Sequence, residues 1–156
     1  MSQNDPVRSN FALLARKRVR YHEVDMQNVV FNANYLVYAD IAVTEYFRAL
    51  LADTDGHDTT GTAYFGPDGD VMVRHSTLDF RAGAKADDQL DIGVRVASFG
   101  RTSFTMEFAI FRDDALLVVI RTRYVYVTTA DWRPAPVPDD FRTRVTGFEK
   151  LIPEQA

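Results

Sequence analysis

Asp25 occupies a position where a carboxylate could take part in catalysis, in the stretch VRYHEVDMQNVVFNANYLVY that runs from Val19 to Tyr38. A strand-like segment precedes this aspartate and a long apolar segment follows it. A carboxylate in that position can act as a nucleophile or as a general base that activates water. It can equally be a turn residue or a helix cap, and the residue types alone favour that second role.

The segment after Asp25 is predicted to be a helix over residues 33–51. Its first turn would present free backbone N–H groups and the positive end of the helix dipole, which stabilise a developing oxyanion. The side chains of Asn32 and Asn34 are expected to cap this helix, and a capped helix can still donate hydrogen bonds from its backbone. The helix is apolar around most of its girth, which predicts that another element surrounds it.

The surrounding element is predicted to be a β-sheet. After a loop at 52–62 that is rich in Gly, Asp and Thr, four segments alternate apolar and polar residues, and a first strand is predicted at 16–21. Inward-facing residues are expected to include Leu90, Val94, Phe104, Phe108, Leu116 and Val118. The segments are longer than typical strands of about five or six residues, and long strands can curl. The prediction is an α+β fold in which a curved antiparallel sheet of about five strands wraps one long central helix.

The composition limits the class of protein. The 156 residues suit one domain, predicted over 1–156 with a loose N-terminal arm at 1–14. The net charge of −4 argues against nucleic acid and anionic membranes as partners. Because the chain has no cysteine, it has no disulfide, no thiolate metal site and no cysteine nucleophile. With no apolar signal core at the N-terminus and no run of about 18 apolar residues, a cytoplasmic protein is expected.

Metal sites and other hydrolase motifs are not predicted. No set of His, Asp and Glu has the spacing of metal ligands, so we expect neither a metal nor a cofactor. His57 lies in DTDGHD, which superficially resembles a calcium loop, but position twelve of that loop holds Tyr64 instead of Glu. A Gly-x-Ser-x-Gly nucleophile elbow is missing, which argues against an α/β-hydrolase.

The order of these elements and the run D-x-x-N-V-V-F-x-A-N-Y-L-x-Y resemble the hotdog-fold acyl-CoA thioesterases of the 4-hydroxybenzoyl-CoA thioesterase family. The likeness covers roughly residues 15–150, including the segments KADDQLDI and SFGRTSF. The family glycine three residues after the aspartate is Asn28 here, and the arginine often found in mid-helix is Val43. Since Asn tolerates left-handed backbone better than most residues, Asn28 is expected to keep the turn or to add a polar group beside the substrate.

The resemblance implies a hydrolase that converts a small or medium acyl-CoA to the free acid and coenzyme A, with coenzyme A as part of the substrate. It implies Asp25 as the catalytic carboxylate and the backbone N–H of Asn32 as the donor to the thioester carbonyl. It also implies homodimers with sheets joined edge to edge, often paired into homotetramers, with the active site at the dimer interface. Implied contacts to the substrate are Asn28, Phe31, Tyr35, Arg101 and Arg121, with Arg81 and Arg123 as weaker candidates.

Two other interpretations stay open, and a third is disfavoured by one residue. A hotdog protein could hold acyl thioesters without hydrolysing them. A cone-shaped sheet around helices could serve as an isomerase or small-molecule binder, although that architecture has several helices before the sheet. A hotdog hydratase would carry a histidine five residues after the aspartate, where this chain has Val30.

Overall fold

The structure, a computed structural model, describes residues 5–52 and 64–156. The predicted loop at 52–62, except for its first residue, lies outside the described residues, and so does His57. Turns of 3-10 helix occupy Arg8–Asn10 and Tyr21–Glu23. The remaining elements in chain order are β1 (Leu13–Arg18), α1 (Asn34–Leu51), β2 (Gly69–Phe80), β3 (Gln89–Phe99), β4 (Ser103–Arg112), β5 (Ala115–Thr128), α2 (Asp139–Phe148) and β6 (Glu154–Gln155).

The strands form one sheet in the order β1-β3-β4-β5-β2, with every pair antiparallel. The two-residue β6 adds in parallel to the end of β3. Strands β2 to β5 run for 10 to 14 residues and curve around α1. The predicted α+β architecture, one long helix packed on a curved antiparallel sheet of five to six strands, is confirmed.

Helix α1 buries one broad face against the sheet. The buried side chains of the helix are Tyr35, Tyr38, Ala39, Ala42, Val43, Tyr46, Phe47 and Leu50. Leu36 and Val37 remain 42% and 53% exposed on the other side, although both are apolar. A single chain therefore leaves part of the apolar surface of α1 exposed.

The predicted inner faces of β3 and β4 are confirmed, because Leu90, Val94, Phe104 and Phe108 lie in the core around α1. The prediction for the start of β5 is wrong for Leu116. The pairing of β4 with β5 is irregular next to the hairpin turn that joins them, where Ile110 pairs with Val118 and Phe111 with Leu116. Leu117 is the extra residue and joins the core, while Leu116 turns to a separate outer cluster. A bulge of this kind depends on both strands and leaves no mark in the alternation of one.

The N-terminal segment is folded from residue 5 onward, so the predicted loose arm at 1–14 is wrong for that part. Phe11 is only 2% exposed and packs on the outer face of the sheet. Gly93 makes room for it, since a Cβ there would lie 2.5 Å from the Phe11 ring. Strand β1 also begins at Leu13 instead of residue 16 and ends at Arg18. These contacts join residues some eighty positions apart, which local patterning does not reveal.

Candidate functional site

A cavity of about 490 Å³ lies beside Asp25, between the loop before α1 and the end of β2. Asp25, Phe31, Asn32 and Tyr35 line it, so the structure brings four predicted site residues together. The facing wall comes from residues 80–83, which the sequence analysis did not assign to the site as a group. The volume lies in the range of roughly 300–1,000 Å³ typical of small-molecule sites.

Backbone hydrogen bonds hold Asp25 in a tight loop. Its N–H donates to the carbonyl of Val29 at 2.9 Å, and its carbonyl accepts from the N–H of Asn28 at 3.0 Å. The carboxylate Oδ1 accepts from the N–H of Gln27 at 2.8 Å. Within the described part of the chain, Oδ2 has no hydrogen-bond partner. One carboxylate oxygen is therefore fixed, and the other remains available to a reactant.

Asn28 adopts the left-handed backbone expected of it, with φ 59°. It does not line the Asp25 cavity with Phe31 and Tyr35. It lines a second cavity of about 460 Å³, together with Asp25, His22 and their neighbours. Asp25 thus lies on the wall between two concave surfaces, and Asn28 belongs to the second one.

The N-terminus of α1 reaches the cavity through Asn32. Among residues 5–52 and 64–156, no group accepts a hydrogen bond from the N–H of Asn32 or Ala33. The expected capping by asparagine side chains is wrong, because the cap residue is Ala33 and no side chain caps the helix. The Asn34 amide instead donates from Nδ2 to the carbonyl of Glu23 at 2.8 Å. The helix start therefore keeps unpaired donors beside the cavity.

Glu23 is a partly buried acceptor two residues before Asp25 that the sequence analysis missed. Its Oε2 accepts from the N–H of Arg20 at 2.6 Å and from the hydroxyl of Tyr38 at 2.8 Å. The Lys17 ammonium lies 2.9 Å from the carboxylate. Burial alone would raise the pKa of Glu23, but these hydrogen bonds and the positive charge outweigh it and hold the pKa below its usual value. No sequence motif marks this residue, since its partners come from three elements.

Aromatic rings give the cavity its apolar character. Phe31 and Phe80 are both about half exposed there. Tyr35 is buried, and its hydroxyl accepts from the N–H of Ala84 at 3.0 Å. The carbonyl of Ala84 accepts from the N–H of Val30 at 2.8 Å. Tyr35 therefore contributes its ring to the wall and uses its hydroxyl to brace the loop.

The wall at residues 80–83 approaches the Asp25 loop closely. A Cβ at Gly83 would lie 2.9 Å from Cγ1 of Val29, so glycine allows this contact. Arg81 lines the cavity but also pairs with Asp5 and Asp79, each at 2.9 Å. Its positive charge is therefore already balanced by two carboxylates. Sequence patterning could not find this wall, because it follows from the pairing of β2 with β5.

Arg101 and Arg121 are not brought into the Asp25 cavity. Arg121 lies on β5 and pairs with the buried Glu107 at 2.6 Å. Arg101 is exposed in the β3–β4 hairpin, near the end of β5 that carries Tyr124. The cavity adjoins the opposite end, where Phe80 pairs with Val118. Six residues of strand separate these two ends, which is about 20 Å.

Metal-ligand clusters and membrane-spanning helices are both absent from residues 5–52 and 64–156. No group of three or more His, Cys, Asp and Glu side chains in this part of the chain could hold a metal ion. No helix within it is both long and apolar enough to cross a membrane.

The sequence and the fold both have known counterparts. The model of the thioesterase superfamily matches residues 27–119. The acyl-CoA thioester hydrolase YbgC of Escherichia coli O6:H1 is 27% identical over 122 residues, which cover 78% of this chain and 86% of that protein. The acyl-CoA thioesterase YbgC of Haemophilus influenzae is 25% identical over 125 residues, or 80% and 88% of the two chains.

A solved structure extends the likeness to three dimensions. The thioesterase from Thermus thermophilus, complexed with coenzyme A and Zn, aligns with a TM-score of 0.74 at 25% identity. The alignment covers 91% of this chain and 97% of that one. The alternative of a cone-shaped sheet around several helices is thereby excluded. The family model spans more than half of the sequence and includes the loop after Asp25, so the chain belongs to the thioesterase superfamily and is a hotdog-fold thioester hydrolase.

Proposed function

We propose that this chain hydrolyses small or medium acyl-CoA thioesters in the Asp25 cavity, with Asp25 as the reacting carboxylate. The observation that carries the proposal is the free Oδ2 of Asp25 in a cavity that also contains the uncapped start of α1. Acyl-CoA is the substrate class named for the Escherichia coli and Haemophilus influenzae relatives. The half-exposed rings of Phe31 and Phe80 suit the apolar part of an acyl group.

Two routes use the same carboxylate. In the first, Oδ2 of Asp25 attacks the thioester carbon, the C–S bond breaks, and coenzyme A leaves as a thiolate that takes a proton from solvent. Water then hydrolyses the acyl–aspartyl anhydride and regenerates the carboxylate. In the second, Asp25 takes a proton from the attacking water and passes it to the departing sulfur. Both routes yield the free acid and coenzyme A.

The N–H groups at the start of α1 would stabilise the oxyanion. The N–H of Asn32 has no acceptor within residues 5–52 and 64–156, and it lies at the positive end of the helix dipole. A thioester oxygen that receives this hydrogen bond gains negative charge in the transition state, so the interaction strengthens as the reaction proceeds. We assign that role to the backbone of Asn32.

A second copy of the chain would complete the site. Strand β2 is an edge of the sheet, and its Met72 and Val73 are 49% and 63% exposed. Long exposed edges tend to pair with another strand. An antiparallel β2–β2 pairing would turn the second sheet by half a rotation and bring its β3–β4 hairpin to the Asp25 end of the first. Arg101 of one copy would then contact the phosphates of coenzyme A bound at Asp25 of the other, and we assign Arg121 the same role. Asn28 would contact that substrate from the copy whose Asp25 holds it.

The first test is thiol release from short-chain, medium-chain, long-chain and aromatic acyl-CoAs, read with a thiol-reactive dye. The protein adds no background because it has no cysteine. We expect turnover of one class and a loss of at least about a hundredfold in Asp25→Asn. If the chain binds acyl-CoA without turnover, it is the binding protein considered above. If Asp25→Asn is as active as the parent, Asp25 is only a turn residue.

A further inference from the structure

We propose that Glu23 is a positioning residue for thioester hydrolysis, and that it holds Asp25 and the first turn of α1 in a fixed relation through its hydrogen bond with Tyr38. The inference rests on the function proposed for Asp25. It concerns a side chain that does not line the cavity and therefore acts through other groups.

The carboxylate of Glu23 joins three pieces of the chain. Lys17 comes from β1, the N–H of Arg20 from the turn before Glu23, and the hydroxyl of Tyr38 from the second turn of α1. The side chains of Glu23 and Lys17 are 12% and 14% exposed. Such a charge-assisted cluster, shielded from water, is stiffer than a surface ion pair.

The backbone of Glu23 joins the two ends of the catalytic loop. Its carbonyl accepts from the N–H of Phe31 at 2.9 Å and from Nδ2 of Asn34 at 2.8 Å. Val24 and Val30 form a β-bridge immediately inside that junction. The loop from Asp25 to Asn32 is thereby closed at Glu23, which lies next to the carboxylate on one side and to the helix start on the other.

A shift of Glu23 would therefore move both reacting groups relative to each other. Catalysis depends on that relation, and a displacement of about 1 Å can cost up to about a hundredfold in rate. Substrate binding depends on it less, because the ring of Phe80, which lies on β2 and is not bonded to Glu23, supplies part of the apolar contact. The signature of a positioning role is therefore a fall in kcat with little change in KM.

The chain supplies a matched control for the hydroxyl of Tyr38. Tyr46 lies two turns further along α1 and donates a hydrogen bond from its hydroxyl to another glutamate carboxylate, the buried Glu149, at 2.5 Å. Both tyrosines are fully buried. Tyr38→Phe and Tyr46→Phe each remove one tyrosine hydroxyl from α1, and each deprives a glutamate carboxylate of one hydrogen bond. Only the first change affects Glu23.

The experiment measures kcat, KM and Tm for the parent, Tyr38→Phe, Tyr46→Phe and Glu23→Gln on the best acyl-CoA of the panel. We expect Tyr38→Phe to lower kcat about tenfold with KM within about twofold, and Tyr46→Phe to leave kcat within about twofold despite a similar fall in Tm. Glu23→Gln should lower kcat at least as far as Tyr38→Phe. If Glu23→Gln does not fold, the two phenylalanine variants decide the question alone.

Equal kcat values for the two phenylalanine variants would overturn the proposal, as would a change confined to KM. Asp25→Asn separates this outcome from failure of the proposed function. An inactive Asp25→Asn together with a fully active Tyr38→Phe rejects the role of Glu23 only. An active Asp25→Asn rejects the function on which it rests.

Discussion

The two ends of α1 carry the same pair of residue types in different surroundings. Near the helix start, Tyr38 donates to Glu23, and near its end, Tyr46 donates to Glu149. Glu23 also receives the Lys17 ammonium and the N–H of Arg20. Within the described chain, Glu149 receives only the N–H of Val96 besides Tyr46, and its Oε2 is buried without a partner.

This difference reverses the direction of the pKa shift. Burial raises the pKa of Glu149, which is 8% exposed. Its hydrogen bonds and the nearby charge of Arg95 both lower that pKa, but together they do not offset the effect of burial. The pKa of Glu23 is lowered, because its donors and Lys17 more than compensate for burial. Glu23 is thus a well-compensated carboxylate beside the site, whereas the more deeply buried Glu149 is a weakly compensated one at the other end of the helix.

The largest expected effect is on kcat, which should depend on the carboxylate at the start of α1 and not on the one at its end. Asp25→Asn should lower kcat by at least about a hundredfold, because the amide can neither attack the thioester nor accept a proton. Glu149→Gln should leave kcat within about twofold, since Glu149 follows α2, bonds to Tyr46 and Val96, and does not line the cavity. Steady-state kinetics on one acyl-CoA compares them, and a large loss in Glu149→Gln would contradict a site confined to the helix start.

The next effect concerns stability at pH 7. Glu23→Gln should lower the free energy of unfolding by about 2 kcal/mol, because it leaves the nearly buried Lys17 ammonium without its counter-ion. Glu149→Gln should change it by less than about 1 kcal/mol. Removal of a buried charge is favourable there, but the new amide N–H₂ takes the place of an oxygen that lacks a partner. Urea titration of both variants measures the difference, and equal losses would contradict it.

The pH dependence should have opposite signs at the two ends. The folded pKa of Glu23 is lowered, so its stabilisation is present above the ordinary value of 4.5 and is lost as pH falls through the folded value. The folded pKa of Glu149 is raised, so its contribution is present below 4.5 and is lost as pH rises through the folded value.

Unfolding free energies between about pH 4 and pH 7 test this contrast. Relative to the parent, Glu149→Gln should gain stability as pH rises, whereas the deficit of Glu23→Gln should shrink as pH falls below 4.5. Parallel curves for the parent and both variants would show that neither carboxyl has a shifted pKa.

The smallest effect concerns the turn at Asn28. Its φ of 59° suits glycine, so Asn28→Gly should change the free energy of unfolding by less than about 0.5 kcal/mol. Asn28→Ala should lower it by about 1 kcal/mol, because a Cβ is strained there and alanine has no polar side chain to compensate. Asp87, with φ 68° in the turn before β3, offers the same pair of substitutions away from the site. Chemical denaturation of all four variants measures the effects, and a greater loss in Asn28→Gly than in Asn28→Ala would refute the backbone argument.

Local patterns predicted the elements better than the contacts between them. The long helix and the inner faces of β3 and β4 follow from periodicity, which one segment shows on its own. The reversal of Leu116 and Leu117 and the burial of Phe11 depend on a neighbouring strand and on a distant glycine. Each of these errors arose where a residue's environment is decided by a segment far away in the sequence.

The candidate site divides in the same way. The sequence by itself determined that the candidate carboxylate, the turn residue and the helix start belong together, because Asp25, Asn28 and the apolar helix lie within one local stretch. Only the tertiary structure decided that residues 80–83 face this stretch, that Arg101 lies at the opposite end of the sheet, and that Glu23 is an ionic anchor. Strand pairing and burial set those distances and charges, and both are properties of segments that meet only in the folded chain.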